Sequence, residues 1–168
     1  MANAHIENLK EFREVYEENQ LFVRKSLYWV TSKDSIDDIV QEAFFKIWKA
    51  WPKFKGQSMV KTWVYRIAMN CAYDFLKRQV KFSKNEKVMP LEMAPSPDSK
   101  LAVEDLLKEA VQKLSEKQKE VFILYYMQGL PVDEVANLLQ IASGTVKSRL
   151  SSSREIVETC LVKHGVSL

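Results

Sequence analysis

Apolar residues recur along this chain at helical spacing, three and four apart, and nowhere in sustained alternation. The pattern predicts a helix over residues 6–30, with Leu9, Phe12, Val15, Tyr16, Leu21, Val23 and Leu27 as candidate core positions. A second helix is expected over 35–51, because Pro52 cannot continue it. A third is expected over 60–79. The stretch KFSKNEKVMPLEMAPSPDSK (81–100) follows no apolar period and holds Pro90, Pro95 and Pro97, so it reads as a flexible linker. Beyond it, a helix is expected over 101–114. Ser115 and Gln118 then have the spacing of a capping box, and Gly129 suits a helix end. Two more helices are expected over 132–139 and 144–163. The predicted fold is all-α, with small helical domains at 1–80 and 101–168 joined by the linker at 81–100.

The helical wheels separate faces that need explanation. In the second helix, Ile36, Ile39, Val40, Ala43, Phe44, Ile47 and Trp51 share a core stripe. Phe45 falls on the far side beside Asp38, Gln41 and Glu42, with Trp48 at the boundary. An aromatic ring turned from the core and ringed by acids is a candidate protein-docking site, although single exposed Phe residues are common. In the third helix, Val60, Trp63, Val64, Ile67, Ala68, Cys71 and Phe75 are expected inward. Arg66, Asn70, Tyr73 and Lys77 line another face, offering two cations, an amide and a ring. Just before it, Phe54-Lys55-Gly56-Gln57-Ser58 forms a loop able to pocket a flipped base.

Residues 131–150 have the spacing of a helix-turn-helix. Val135, Leu138 and Leu139 form the inner face of the first helix, and Ala136 lets the helices approach. Ile141 lies in the turn, while Val146 and Leu150 pack the second helix back. Ser143 is expected to cap that second helix. Thr145, Ser148, Arg149 and Ser152 are expected outward, with Lys147 close by, as a face suited to the major groove.

Charge distribution sharpens this picture more than net charge does. The 168 residues carry a formal +3. Residues 1–45 hold five Lys/Arg against nine Asp/Glu, residues 46–87 hold eleven against two, and residues 88–168 hold nine against eleven. The basic stretch also holds Trp48, Trp51, Phe54, Trp63, Tyr65, Tyr73, Phe75 and Phe82. Cations interleaved with rings suit a single-stranded nucleic acid, and equally a solvated basic face over an aromatic core. Cys71 and Cys160 form no metal-ligand spacing with each other or with His5 and His164. No metal, cofactor or small-molecule substrate is expected, and no nucleophile–base pair points to an enzyme. Two widely spaced cysteines, no leader-like segment and no long uncharged apolar run predict a cytoplasmic chain.

The run DSIDDIVQEAFFKIWKAWPKFKG (34–56), followed by TWVYRIAMNCAYDFLKR (62–78), resembles region two of the extracytoplasmic-function (ECF, group IV) subfamily of the sigma-70 factors of bacterial RNA polymerase. The run LSEKQKEVFILYYMQGLPVDEVANLLQIASGTVKSRL (114–150) resembles their region four. The resemblance implies a sigma factor that binds core polymerase and directs initiation at promoters. It implies that Asp37, Asp38, Gln41, Glu42, Phe45 and Trp48 dock the coiled coil of the largest polymerase subunit. It implies that Phe54, Lys55, Gly56, Gln57, Ser58, Lys61, Arg66, Asn70, Tyr73 and Lys77 bind the opened minus-ten strand. Ser143, Thr145, Lys147, Ser148, Arg149 and Ser152 would meet the duplex minus-thirty-five element. An anti-sigma partner, often membrane-bound in this family, is also implied, and it is the one route by which this chain would be held at a membrane. The sequence departs from the family pattern at Gln57, where an acid is usual, at Pro131, where a Ser or Thr cap is usual, and at Gln140, where a turn glycine is common. Ser152 and Ser153 stand where a basic residue and alanine are frequent. The competing reading from the residues alone is a dimeric helix-turn-helix regulator that binds an operator without polymerase. It explains the C-terminal half but leaves Phe45 and the basic helix without purpose.

Overall fold

The computed structural model of the chain describes residues 2–83 and 100–166, with side chains over 9–81 and 103–166. The expected linker prolines Pro90, Pro95 and Pro97 lie outside the described residues, as do the side chains of His5, Phe82 and Leu101. The chain divides into two compact units, Met1–Asn85 and Glu86–Leu168. Both are helical, and the described residues contain no strand.

The first unit is built from α1 (Ala2–Tyr28), α2 (Ile36–Ala50) and α3 (Val60–Ser83). Asp37 and Asp38 sit in the first turn of α2, where the helix dipole favours negative charge. The helix gives way to a tight 3-10 turn, Trp51–Lys53, around Pro52. Each helix packs on the other two. Val23, Leu27, Ile39, Ile47 and Val64 are fully enclosed, and small Ala43, Ala68 and Ala72 let the helix axes approach. Tyr16 meets Phe44 edge-on at 4.7 Å between ring centroids.

Two expected core positions of α1 are not core. Leu9 and Leu21 are exposed, at 45% and 60%. The stripe that α1 buries instead includes Val15, Asn19, Val23, Ser26 and Leu27. Two of these are polar, which is why the apolar pattern misplaced the face. They tolerate burial because Asn19 Nδ2 donates to the Val15 carbonyl at 2.8 Å and Ser26 Oγ to the Phe22 carbonyl at 2.9 Å.

The second unit holds α4 (Lys100–Gln112), α5 (Glu116–Phe122), α6 (Val132–Leu139) and α7 (Ser143–Lys163). The capping box is made: Ser115 Oγ accepts from the Gln118 amide, and the Gln118 side chain accepts from the Ser115 amide. α5 runs into a wider π turn, Ile123–Met127. Gly129, at φ +69°, then reverses the chain. The Gln128 and Leu130 amides close that end on the Ile123 and Leu124 carbonyls at 3.0 and 3.1 Å. α7 is the spine, packed by α4, α5 and α6. Among the described residues of this unit, one cation is buried. Lys119 donates to Gln112 Oε1 at 2.8 Å, and burial pushes its ammonium below the ordinary lysine value.

Candidate nucleic-acid interface and docking groove

α2 carries an acidic face bordered by a groove. Its opposite side, Ile39, Val40, Ala43, Phe44 and Ile47, is buried, so the outward side is free of packing duty. Phe45 stands there 55% exposed, with Lys49 Nζ 4.3 Å from its ring centroid. Phe45, Trp48, Phe12 and Tyr16 line a shallow groove of about 360 Å³, with Asp37 and Gln41 also on its wall. Trp48 is half-buried because Phe12 meets it edge-on at 5.0 Å. Asp37, Asp38 and Gln41 are exposed. Asp37 is held by Arg24 at 2.6 Å. Glu42 accepts from Lys46 at 2.8 Å and from Arg78 at 3.2 Å. The Lys46 hydrogen bond, supported by Arg78, keeps its carboxyl below the ordinary glutamate value. Arg78 lies on α3, so Glu42 ties the acidic helix to the basic one.

The loop before α3 is partly an extension of the core. Phe54 stacks on Trp51, with centroids 5.6 Å apart and planes 13° apart, and it meets Trp63 at 4.8 Å. Phe54 is therefore half-buried and braces the loop, while Lys55, Gly56 and Gln57 are exposed and Ser58 is half-buried. Gly56 adopts φ +66°, a conformation that strains any side chain there. Lys61 is half-buried, its Nζ 4.3 Å from the centroid of Phe22. Met59, 70% exposed beside the loop, is a surface feature that the sequence reading passed over.

On α3 the expected face is real in three of four positions. Arg66, Asn70 and Lys77 are exposed. The placement of Tyr73 on that face is wrong: it is 8% exposed and belongs to the core with Tyr65, Met69 and Ala72. α3 is covered by both α1 and α2, so about half its circumference is buried and the inward arc reaches past the single stripe of the wheel. Val60, Trp63, Ile67 and Phe75, expected inward, are only half-buried. Asp74 is exposed between Asn70 and Lys77, an acid the sequence reading did not weigh.

In the second unit, α6 and α7 form the expected helix-turn-helix. Val135, Ala136 and Leu138 are buried against Val146 and Leu150. The turn passes through Gln140 at φ +55°, the one positive-φ residue other than glycine among the described residues. The expected cap is corrected: Ala142 occupies the N-cap of α7, and Ser143 is the first helical residue. Its hydroxyl turns back to α6 and donates to Asp133 Oδ1 at 2.8 Å. The outward strip also lies further round the helix than expected. Gly144, Lys147, Ser148 and Ser151 are exposed, whereas Thr145, Arg149 and Ser152 are half-buried. Ser152 accepts from Gln118 Nε2 at 3.1 Å, so it serves the packing of α5 on α7. Small residues at 144, 148 and 151 gave the wheel no apolar contrast with which to find the centre of this strip.

Cys71 and Cys160 are free and buried. None of the described helices is long and apolar enough to cross a membrane.

Comparison with known proteins adds an independent line. Residues 15–82 match the family description of Sigma-70 region 2, and residues 104–156 that of Sigma-70, region 4. The chain is 30% identical over 144 residues to the ECF RNA polymerase sigma-E factor of Escherichia coli K12, covering 77% of this chain and 75% of that protein. It is 29% identical over 141 residues to the protein of that name from Haemophilus influenzae, covering 76% and 75%. Among solved structures it is similar to the sigma factor RpoE of Bartonella quintana, determined in complex with the anti-sigma factor NepR. That likeness has a TM-score of 0.67 at 28% identity, covering 90% of this chain and 97% of the other.

Proposed function

The chain belongs to the extracytoplasmic-function sigma factors of the sigma-70 family, and from that footing we propose how its surfaces divide the work of starting transcription. The protein binds core RNA polymerase and directs it to promoters with a minus-ten and a minus-thirty-five element. The bond-forming chemistry is polymerase's, so the chain needs no catalytic group of its own. Its site of action is the cytoplasm, where promoter DNA is.

The polymerase-docking surface is α2: Asp37, Asp38, Gln41 and Glu42 around Phe45 and Trp48. The observation that carries this is the exposure of Phe45 on a helix whose other side is wholly committed to the core. An aromatic anchor in a groove with a polar rim is the usual make-up of a protein interface. The basic partner side of such a contact would compete with Arg24, Lys46 and Arg78 for the acids they hold.

The minus-ten surface is the 54–58 loop with Lys61, Arg66, Asn70 and Lys77. Cations there hold phosphates, an interaction weakened by salt. Asn70 offers a bidentate amide to a base edge. Gly56 lets backbone approach an unstacked base, with Gln57 and Ser58 as hydrogen-bonding walls. The braced Trp51–Phe54–Trp63 stack keeps that loop in place. Tyr73 acts from the core by supporting α3. The minus-thirty-five surface is α7 entering the major groove, with Ser143, Thr145, Ser148 and Arg149 toward bases and Lys147 toward phosphate. Ser152 stands at its edge. An anti-sigma partner, like the one bound to the Bartonella relative, would cover one or more of these surfaces; tethering to a membrane would come through that partner.

The test is transcription from genomic fragments by core polymerase with and without this protein, with start sites mapped. Discrete new starts sharing two spaced upstream motifs are expected. Absence of new starts, together with no binding to polymerase, would overturn the proposal.

A further inference from the structure

The bond between Ser143 and Asp133 decides more than the geometry of the turn. A serine hydroxyl has one hydrogen and two lone pairs. Here the hydrogen goes to a carboxylate oxygen at 2.8 Å. Bonds to an ionised acceptor are about twice as strong as neutral ones, so the hydrogen is committed. What Ser143 can still offer is lone pairs. Ser148, exposed further along α7, donates to a neutral acceptor, the Thr145 carbonyl, at 3.0 Å. Recognition helices set their N-terminal residues against base edges in the major groove. There adenine and cytosine present an amino donor, while thymine and guanine present a carbonyl oxygen at the corresponding edge.

Resting on the reading of α6 and α7 as the promoter-duplex element, we infer that Asp133 is a positioning residue that sets base preference. By taking the hydrogen of Ser143, it makes that hydroxyl an obligate acceptor. Ser143 then selects adenine or cytosine on the strand it faces and disfavours guanine and thymine there. Asp133 itself touches no base.

The experiment uses holoenzyme assembled from the full chain and core polymerase, transcribing a promoter library randomised across the upstream element. For the unaltered protein, one position is expected to favour adenine and cytosine over guanine and thymine by about fivefold, the effect of one net hydrogen bond. Ser143→Ala flattens that position alone. Asp133→Ala frees the hydroxyl to donate, so guanine and thymine become acceptable there while every other position keeps its preference. A merely structural residue would instead weaken all sites together. Should Asp133→Ala fail to fold, the unaltered protein answers the same question: replacing adenine at that position by purine, which lacks the amino group, costs the same fivefold. The inference is overturned if Asp133→Ala keeps the adenine and cytosine preference, or if purine serves as well as adenine. A library with no preference at any upstream position would overturn the promoter-duplex reading itself, and the inference with it.

Discussion

The two units differ in the chemistry of the surfaces proposed to meet nucleic acid. In the first, Lys61 lies over Phe22 beside the Trp51–Phe54–Trp63 stack, and Arg66, Asn70 and Lys77 are exposed on α3. In the second, Lys147 stands beside hydroxyls that already donate, Ser143 to Asp133 and Ser148 to the Thr145 carbonyl. A surface of rings and cations suits unstacked bases and phosphates, with Asn70, Gln57 and Ser58 as the groups able to read a base. A surface of oriented hydroxyls meets the edges of paired bases, where the pattern of donors and acceptors carries the sequence. On the proposed reading, the difference divides strand capture from duplex reading by the side chains that each helical unit presents.

The largest expected effect tests where the first surface ends. Tyr73→Ala should lower stability by about 3–5 kcal/mol, because it opens a cavity in the core of the first unit. Thermal unfolding checks this. A variant that melts normally but fails to open promoters would return Tyr73 to the reading face. Phe45→Ala should weaken polymerase binding by about 2 kcal/mol, typical of an interface anchor, with the melting temperature unchanged; a binding titration against core polymerase decides it. Asn70→Ala should reduce open-complex formation by about 1–3 kcal/mol while polymerase binding holds. If Asn70→Ala instead lost its unfolding transition, the residue would be structural.

Two smaller effects probe the second unit. Burial holds the Lys119 pKa below its unfolded value, so the unfolded chain binds that proton more tightly. Stability should therefore rise with pH from the folded Lys119 pKa up to the ordinary lysine value. Lys119→Met should remove that rise and increase the melting temperature at neutral pH by a few degrees, measured by calorimetry across a pH series. Gln140→Gly should relieve the left-handed turn and stabilise by about 0.5–1 kcal/mol, partly offset by the greater freedom of glycine when unfolded. A loss of stability would mean that the Gln140 side chain is needed in the turn.

How much of this was legible depended on how wide a face each helix buries and on whether that face is apolar. α2 buries one stripe, and its wheel separated core from surface, including Phe45. The helix at 132–139 was also found with its bounds, because its buried positions are all apolar. α3 buries Tyr65, Met69, Ala72 and Tyr73 as well as Val64, Ala68 and Cys71, so a wheel built for one stripe put Tyr73 outside. α1 buries Asn19 and Ser26, whose hydrogen bonds run to their own helix backbone, so apolarity pointed to Leu9 and Leu21 instead. The π turn at Ile123–Met127 has no breaker residue within it; Gly129 marked only the end. Among the candidate site cations, Lys55, Arg66, Lys77 and Lys147 are exposed, while Lys61 and Arg149 are half-buried. The site residues read by hydroxyl pattern were partly turned inward, because serine carries little signal for either side. The Ser143–Asp133 bond joins residues ten apart across a turn, and only the folded helix pair brings them together.

The central claim is that one surface takes opened strand and the other takes duplex, both on polymerase. Footprinting a single promoter complex tests it directly, with permanganate to report unpaired thymines and a nuclease to report protected duplex. The account predicts unpaired thymines at the downstream element and protected duplex at the upstream one, both requiring core polymerase. A protected duplex site formed by this protein alone, with no unpaired thymines when polymerase is added, would contradict it.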